Sequence, residues 1–197
     1  MKIEEPDLTG TYSYADYVTW QWTEMSELIQ GKIFKMSPAP NTAHQRVSLE
    51  LSRQIANYLK GKKCKAFSAP FDVRLPLSES MKNDQDIFTV VQPDICVICD
   101  PGKIDERGCL GAPDWIIEIL SRQTSSKDLR QKFDVYQQTG VREYWVVHPV
   151  EQTVLVYVLN SKGKYESELK PYVREDMLSQ RTLPELVIDL AQVFSED

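Results

Sequence analysis

The stretch Trp115-Ile116-Ile117-Glu118-Ile119-Leu120 decides the reading of this chain, because one acid stands inside an otherwise unbroken apolar run. Six residues rich in isoleucine predict a strand buried on both faces. Strand alternation sends Ile116, Glu118 and Leu120 to one face and Trp115, Ile117 and Ile119 to the other. A carboxylate in such a setting loses hydration that must be replaced by a hydrogen-bonding or charged partner. Upstream, Pro93-Asp94 opens a second strand-like run, Ile95-Cys96-Val97-Ile98-Cys99. If the two strands are neighbours in register, Asp94 and Glu118 meet. Two bare carboxylates ~4.5 Å apart repel by roughly 3–4 kcal/mol at an effective dielectric of ~20. Either one carries a proton or a cation lies between them.

Working outward, the order of elements predicts a mixed α/β fold. Gln30-Gly31 marks a hairpin turn within Glu27–Met36, and an aromatic helix is expected over Tyr14–Trp22. Asn41 or Thr42 caps a helix carrying Val47, Leu51, Ile55 and Leu59 at helical spacing, which ends at Gly61. Cys64–Leu75 reads as one long extended segment, and the glycine- and proline-bearing stretch Asp100–Ala112 as a loop. After Glu118, Ser125 and Asp128 stand at capping-box spacing before a helix ending at Gly140, followed by the strand Glu143–His148. A strand-helix-strand step implies a parallel pair, whereas the earlier consecutive strands suggest antiparallel neighbours. The prediction is one domain over residues 1–197. It has an N-terminal helix and hairpin over 12–37, a core over 41–149 whose mixed sheet has helices on both faces, and a β-rich tail over 150–197.

The 197 residues are 42% hydrophobic and 26% charged, the balance of a soluble globular protein. No apolar run is long enough to cross a membrane and the first residues have no signal-peptide core, so a cytoplasmic protein without membrane contact is expected. In that compartment Cys64, Cys96, Cys99 and Cys109 are expected as reduced thiols. A net charge of −6 argues against nucleic-acid binding by bulk electrostatics, while leaving room for an enzyme with a local basic groove.

Hard oxygen ligands and only two histidines favour Mg²⁺ or Mn²⁺ over zinc at an Asp94–Glu118 pair. A water on such an ion is the nucleophile of metal-assisted phosphodiester hydrolysis, and a lysine is the natural group to steady the developing charge. The chain lacks a Gly-x-Ser-x-Gly elbow, a phosphate-binding glycine loop and an HExxH motif, which leaves other hydrolase chemistries without support.

Pro93-Asp94 and Glu118 on consecutive strands, followed by a crossover helix, resemble the PD-(D/E)XK nuclease superfamily. More narrowly, Met36-Ser37-Pro38-Ala39-Pro40, His44, Pro93-Asp94-Ile95, Gly111-Ala112-Pro113-Asp114, Ile117-Glu118-Ile119-Leu120-Ser121, Asp128, Lys132, Tyr136 and Gly140-Val141-Arg142-Glu143-Tyr144-Trp145 resemble the Uma2 family. The resemblance implies a restriction-endonuclease-like fold and a metal-dependent nuclease acting on DNA. It implies Asp94, Glu118 and the Ile119 carbonyl as metal ligands and Lys132 as the catalytic cation.

The superfamily lysine would stand two positions after Glu118, where this chain has Leu120. In Uma2-like sequences the lysine lies on the following helix, at Lys132. Asp128, Lys132 and Tyr136 share one helical stripe, so a lysine there can reach the acids if the stripe faces them. Each supporting residue also has a structural reading. Lys132 can be a surface partner of Asp128, Asp128 a helix cap and His44 a structural or capping residue, whereas Asp72, opposite its strand's apolar face, is a candidate additional acid. Two functional classes stay open: a Mg²⁺-dependent nuclease, and a catalytically weak binding or assembly module on the same fold. In the second, the aromatic residues Tyr12, Tyr14, Tyr17, Trp20 and Trp22 would serve a protein partner or a homodimer.

Overall fold

A computed structural model describes residues 7–20, 26–36, 41–78, 80–121 and 126–196, with the backbone alone for 126–128. The chain starts with a one-turn helix α1 (Tyr14–Tyr17) and a hairpin of β1 (Ser26–Ile29) and β2 (Lys32–Lys35). Gln30 and Gly31 both have positive φ, 51° and 77°, as a two-residue hairpin turn with the strands' own twist requires. Helix α2 (Thr42–Leu59) begins where Asn41 accepts the His44 amide proton, and Gly61 follows it at φ 78°.

Next come β3 (Lys65–Ser68), β4 (Val73–Arg74), β5 (Val90–Val91), β6 (Ile95–Ile98), β7 (Ile104–Asp105), β8 (Gly108–Leu110) and β9 (Trp115–Ile119). Helix α3 (Ser126–Thr139) crosses to β10 (Glu143–His148), and Gly140 at φ 87° ends it. The chain continues through β11 (Thr153–Leu159), β12 (Tyr165–Ser167), β13 (Tyr172–Val173), β14 (Met177–Ser179), β15 (Val187–Asp189) and α4 (Leu190–Val193).

The main sheet runs β12-β11-β10-β9-β6-β3, with β13 also on β11. β6 and β9 are antiparallel neighbours, pairing Ile95 with Ile117 and Val97 with Trp115. β9 and β10 are parallel, joined by α3. Both features agree with the expected mixed sheet. A second sheet, β2-β1-β5-β4-β8-β7, and a small β14-β15 ribbon complete the architecture.

Alternation sorts the main sheet's side chains into two cores. Ile95, Val97, Trp115, Ile117, Ile119, Trp145 and Val147 pack against Val47, Leu51 and Ile55 of α2 and against the C-terminal β14-β15 and α4 segment. Cys96, Ile98, Ile116, Tyr144 and Val146 face the other way, against Val135 and Tyr136 of α3 and against Ile29, Val73, Leu75 and Val91 of the second sheet. Fully burying each such aliphatic side chain contributes about 1.5–3 kcal/mol. Glu118 lies on this second side, between the main sheet and α3.

Four expectations need correction. Cys64–Leu75 is two strands, β3 in the main sheet and β4 in the second, so one extended segment passes from layer to layer. The supposed loop Asp100–Ala112 holds the β7-β8 hairpin, which completes the second sheet. Cys64 and Cys99 are disulfide-bonded rather than reduced, because the β3–β6 register that pairs Lys65 with Ile98 brings the preceding and following residues face to face. Cys96 and Cys109 are buried free thiols.

The N-terminal helix, fourth, ends at Tyr17, whereas the expectation ran to Trp22. Tyr14 is 2% exposed and packs with Leu28, Ile87 and Val90, while Tyr12, Tyr17 and Trp20 close over that small core. Trp22 and Ser125 lie outside the described residues, as do the Met36-Ser37-Pro38-Ala39-Pro40 positions after Met36. Among the described residues, no helix is long and apolar enough to cross a membrane.

Candidate active site

The β6–β9 register, extended by one step beyond Ile95 and Ile117, sets Asp94 opposite Glu118 at the end of the pairing. Asp94 Oδ2 accepts the Ile119 amide proton at 2.7 Å. Its Oδ1 lies 3.1 Å from His44 Nε2, at the first turn of α2. The helix cap at Asn41 thus fixes a histidine that in turn fixes the aspartate. Burial works against a charged His44 imidazole. The Asp94 carboxylate, with help from the Ile119 backbone and Glu118, more than offsets it and raises the pKa above the ordinary value.

Glu118 is 8% exposed, and Oε1 takes two donors from α3: Tyr136 OH at 2.6 Å and Lys132 Nζ at 2.9 Å. Lys132 and Tyr136 are one helical turn apart and on the face turned to the sheet, as their spacing requires. The reading of Lys132 as a surface partner of Asp128 fails on this geometry, since its ammonium points into the protein. The Asp128 side chain itself lies outside the described residues.

Lys132 has a second acid that the sequence did not reveal. Glu27, from β1 of the second sheet, places Oε1 2.9 Å from the same ammonium. The Gln92 backbone N–H also donates to that oxygen, at 2.8 Å. The ammonium is therefore clamped between carboxylates carried by the two sheets. Burial opposes its charge, but Glu118 and Glu27 outweigh burial and hold the lysine pKa above its usual value. Burial also pushes the Glu118 carboxyl up to about 7, with Lys132 pulling it down and Asp94 and Glu27 pushing it further up. The Tyr136 phenol is raised well above its ordinary value, by burial first and then by the Glu118 charge.

Asp72 stands apart from this centre. It bonds Gln92 Nε2 at 2.8 Å and Tyr17 OH at 3.4 Å, and burial raises its pKa. Gln92 links the two groups, its backbone on Glu27 and its side chain on Asp72. Asp114 accepts the Cys99 amide proton at 2.7 Å and meets Arg142 at 3.1 Å, holding the turn before β9 in place.

Two carboxylates and a backbone carbonyl are hard oxygen donors suited to Mg²⁺ or Mn²⁺. The His44 and Ile119 contacts occupy one position on each Asp94 oxygen, and a carboxylate offers about four. Among the described residues no three His, Cys, Asp or Glu side chains are grouped to hold a metal on their own. Asp94, Glu118 and a carbonyl alone would leave a Mg²⁺ most of its own waters.

The same architecture occurs in a crystal structure described as that of "a putative nuclease belonging to DUF820 from Anabaena variabilis ATCC 29413". It superposes with a TM-score of 0.71 and 24% identity, covering 93% of this chain and 97% of that one. "Uncharacterized protein slr1290" of Synechocystis sp. (strain ATCC 27184 / PCC 6803 / Kazusa) is 24% identical over 153 residues, covering 76% of this chain and 75% of that protein. The Uma2 family model, described as "Putative restriction endonuclease", matches residues 14–191, which include Glu27, His44, Asp94, Glu118 and Lys132. On that match over most of its length, the chain belongs to the Uma2 family.

Proposed function

We propose that the protein is a Mg²⁺-dependent (or Mn²⁺-dependent) endonuclease that hydrolyses phosphodiester bonds in DNA at the Asp94–Glu118–Lys132 centre. One observation supports the reading: Asp94 and Glu118 stand at facing register positions of adjacent strands, and α3 brings the largely buried Lys132 ammonium to 2.9 Å from Glu118. An ion held by Asp94, Glu118 and the Ile119 carbonyl would polarise the phosphoryl oxygen and acidify a bound water. Everything else falls to the chain's own groups. Lys132 supplies a fixed positive charge for the pentacoordinate phosphorus and orients the attacking water. Tyr136 holds Glu118 in one rotamer, and His44 does the same for Asp94. Glu27 keeps the lysine charged and aimed.

The test is hydrolysis of single- and double-stranded DNA by the purified protein in Mg²⁺, Mn²⁺ or EDTA. Asp94→Ala, Glu118→Ala and Lys132→Ala should each lower the rate by about 10²–10³. Activity surviving in the two acid variants would remove the assignment.

A second reading, a binding or assembly module with little catalysis, is favoured by the clamp itself. An ammonium already shared by Glu118 and Glu27 must be loosened before it can serve a phosphate. Calorimetry separates the two readings. Absence of divalent-ion binding at millimolar concentration favours the module.

A further inference from the structure

On the far side of Gln92 from the Glu27–Lys132–Glu118 clamp lies a cleft of about 340 Å³, a volume at the small end of ligand sites. Pro70 and Phe71 form its apolar wall, and the Phe71 ring stacks on Phe67 with centroids 4.2 Å apart. Asp72, Gln92, Asp105, Glu106 and Arg107 supply its polar lining.

The cations around this cleft are already committed. Arg107 binds Asp84 at 2.6 Å through one guanidinium nitrogen and at 3.2 Å through another, and Arg74 binds Asp105 at 2.6 Å. Both Gln92 amide protons are committed as well, to Asp72 at 2.8 Å and Tyr17 at 3.3 Å, whereas Gln92 Oε1 is buried without a hydrogen-bond partner. Both described bonds to Asp72 fall on Oδ1. What the cleft presents is therefore carboxylate oxygen, that of Asp72 Oδ2, beside the apolar Pro70–Phe71 wall, which repels phosphate and suits a planar group bringing N–H donors. The Asp72 backbone is held rigidly beneath, its carbonyl accepting the Cys109 amide proton at 2.8 Å.

We propose that this cleft is a nucleobase subsite that takes an unpaired guanine next to the cleaved bond. The proposal rests on the nuclease reading only for its neighbourhood, one residue away from the clamp. Guanine carries adjacent N1–H and N2–H donors on its Watson–Crick edge, and both can converge on the one oxygen left without a described bond, Asp72 Oδ2. Adenine and cytosine put an acceptor nitrogen beside their amino group, and thymine sets a single N–H between two carbonyls. Each of these would aim lone pairs at Asp72. Stacking of a splayed-out base on an aromatic side chain with its edge hydrogen-bonded is the usual mode of single-strand recognition. A carboxylate placed beside a polyanion is unfavourable in general, and becomes selective when a base donates to it.

The experiment measures fluorescence anisotropy of labelled nine-residue single strands with the wild-type protein in EDTA, so that binding is read without hydrolysis. The strands are all thymine, thymine with one central guanine, and thymine with one central inosine, which lacks the N2 amino group. The guanine strand should bind about tenfold more tightly than the thymine strand, with inosine between them. Asp72→Asn, which turns an acceptor atom into a donor, should erase the preference, and Phe71→Ala should weaken guanine binding. Equal affinity for all three strands by a protein that does hydrolyse DNA overturns the subsite and leaves the nuclease reading intact. Failure to bind any strand, with no hydrolysis, overturns both.

Discussion

Replacing Lys132 with methionine keeps an unbranched stem of similar reach and removes only the charge from the clamp. Glu118 and Glu27 are 8% and 5% exposed, so neither can turn to water when the ammonium goes. Breaking a buried pair by deleting one partner costs about 3–5 kcal/mol, because the remaining charge is left uncompensated. A carboxylate can escape that penalty by taking a proton. From an ordinary glutamate pKa of ~4.3, this costs about 4 kcal/mol at pH 7.5 and under about 2 kcal/mol at pH 5.5. The variant should therefore be less stable than wild type by about 3–5 kcal/mol at pH 7.5 and by roughly half as much at pH 5.5. The sign follows from linkage: Glu118, raised by burial and then without Lys132 to pull it down, binds its proton more tightly folded than unfolded, so the variant gains stability as pH falls. Urea unfolding followed by tryptophan fluorescence reads this directly, since Trp115 and Trp145 are both fully buried. A loss under about 1 kcal/mol, or one that does not change between the two pH values, would refute the clamp.

Three further outcomes are expected. Reducing Cys64–Cys99, which closes a 35-residue separation, should lower stability by about 3–4 kcal/mol, and dithiothreitol should shift the melting temperature of wild type but not of Cys64→Ser/Cys99→Ser. Gly108 sits at φ 115°, and a Cβ there would stand 2.1 Å from the Asp72 carbonyl oxygen; Gly108→Ala should destabilise by about 2 kcal/mol or more and lower the urea midpoint. His44 is raised when folded, so its stabilisation is complete below its ordinary value of 6.5 and is lost as pH rises through the higher folded value. The melting-temperature gap between wild type and His44→Gln should accordingly be wider at pH 6 than at pH 9.

Much of the site could be read from local pattern. A lone acid in an isoleucine run and alternation on that strand singled out Glu118, while Lys132 came from the Uma2 resemblance and the four-residue stripe said only that Lys132 and Tyr136 share one helix face. The hairpin at Gln30-Gly31 and the cap at Asn41 were legible because each depends on two or three neighbouring residues. Glu27 was not. It sits in Ser26–Ile29, buried at all four positions, so no alternation marks which face it serves, and its partner is supplied by another layer. The same reason hid the β4–β8 pairing and the Cys64–Cys99 bond, which depend on how distant segments register and not on any property of the segments themselves. Asp72 was read as a further acid of the centre, whereas its bonds belong to Gln92 and Tyr17.

Because the two counter-anions of Lys132 are carried by different sheets, the centre exists only after those sheets have packed together. A chain with a single layer formed would hold an ammonium with half its charge balance and nothing to aim it. The Glu118–Lys132–Glu27 arrangement is therefore a tertiary feature, complete only when both sheets and α3 are in place.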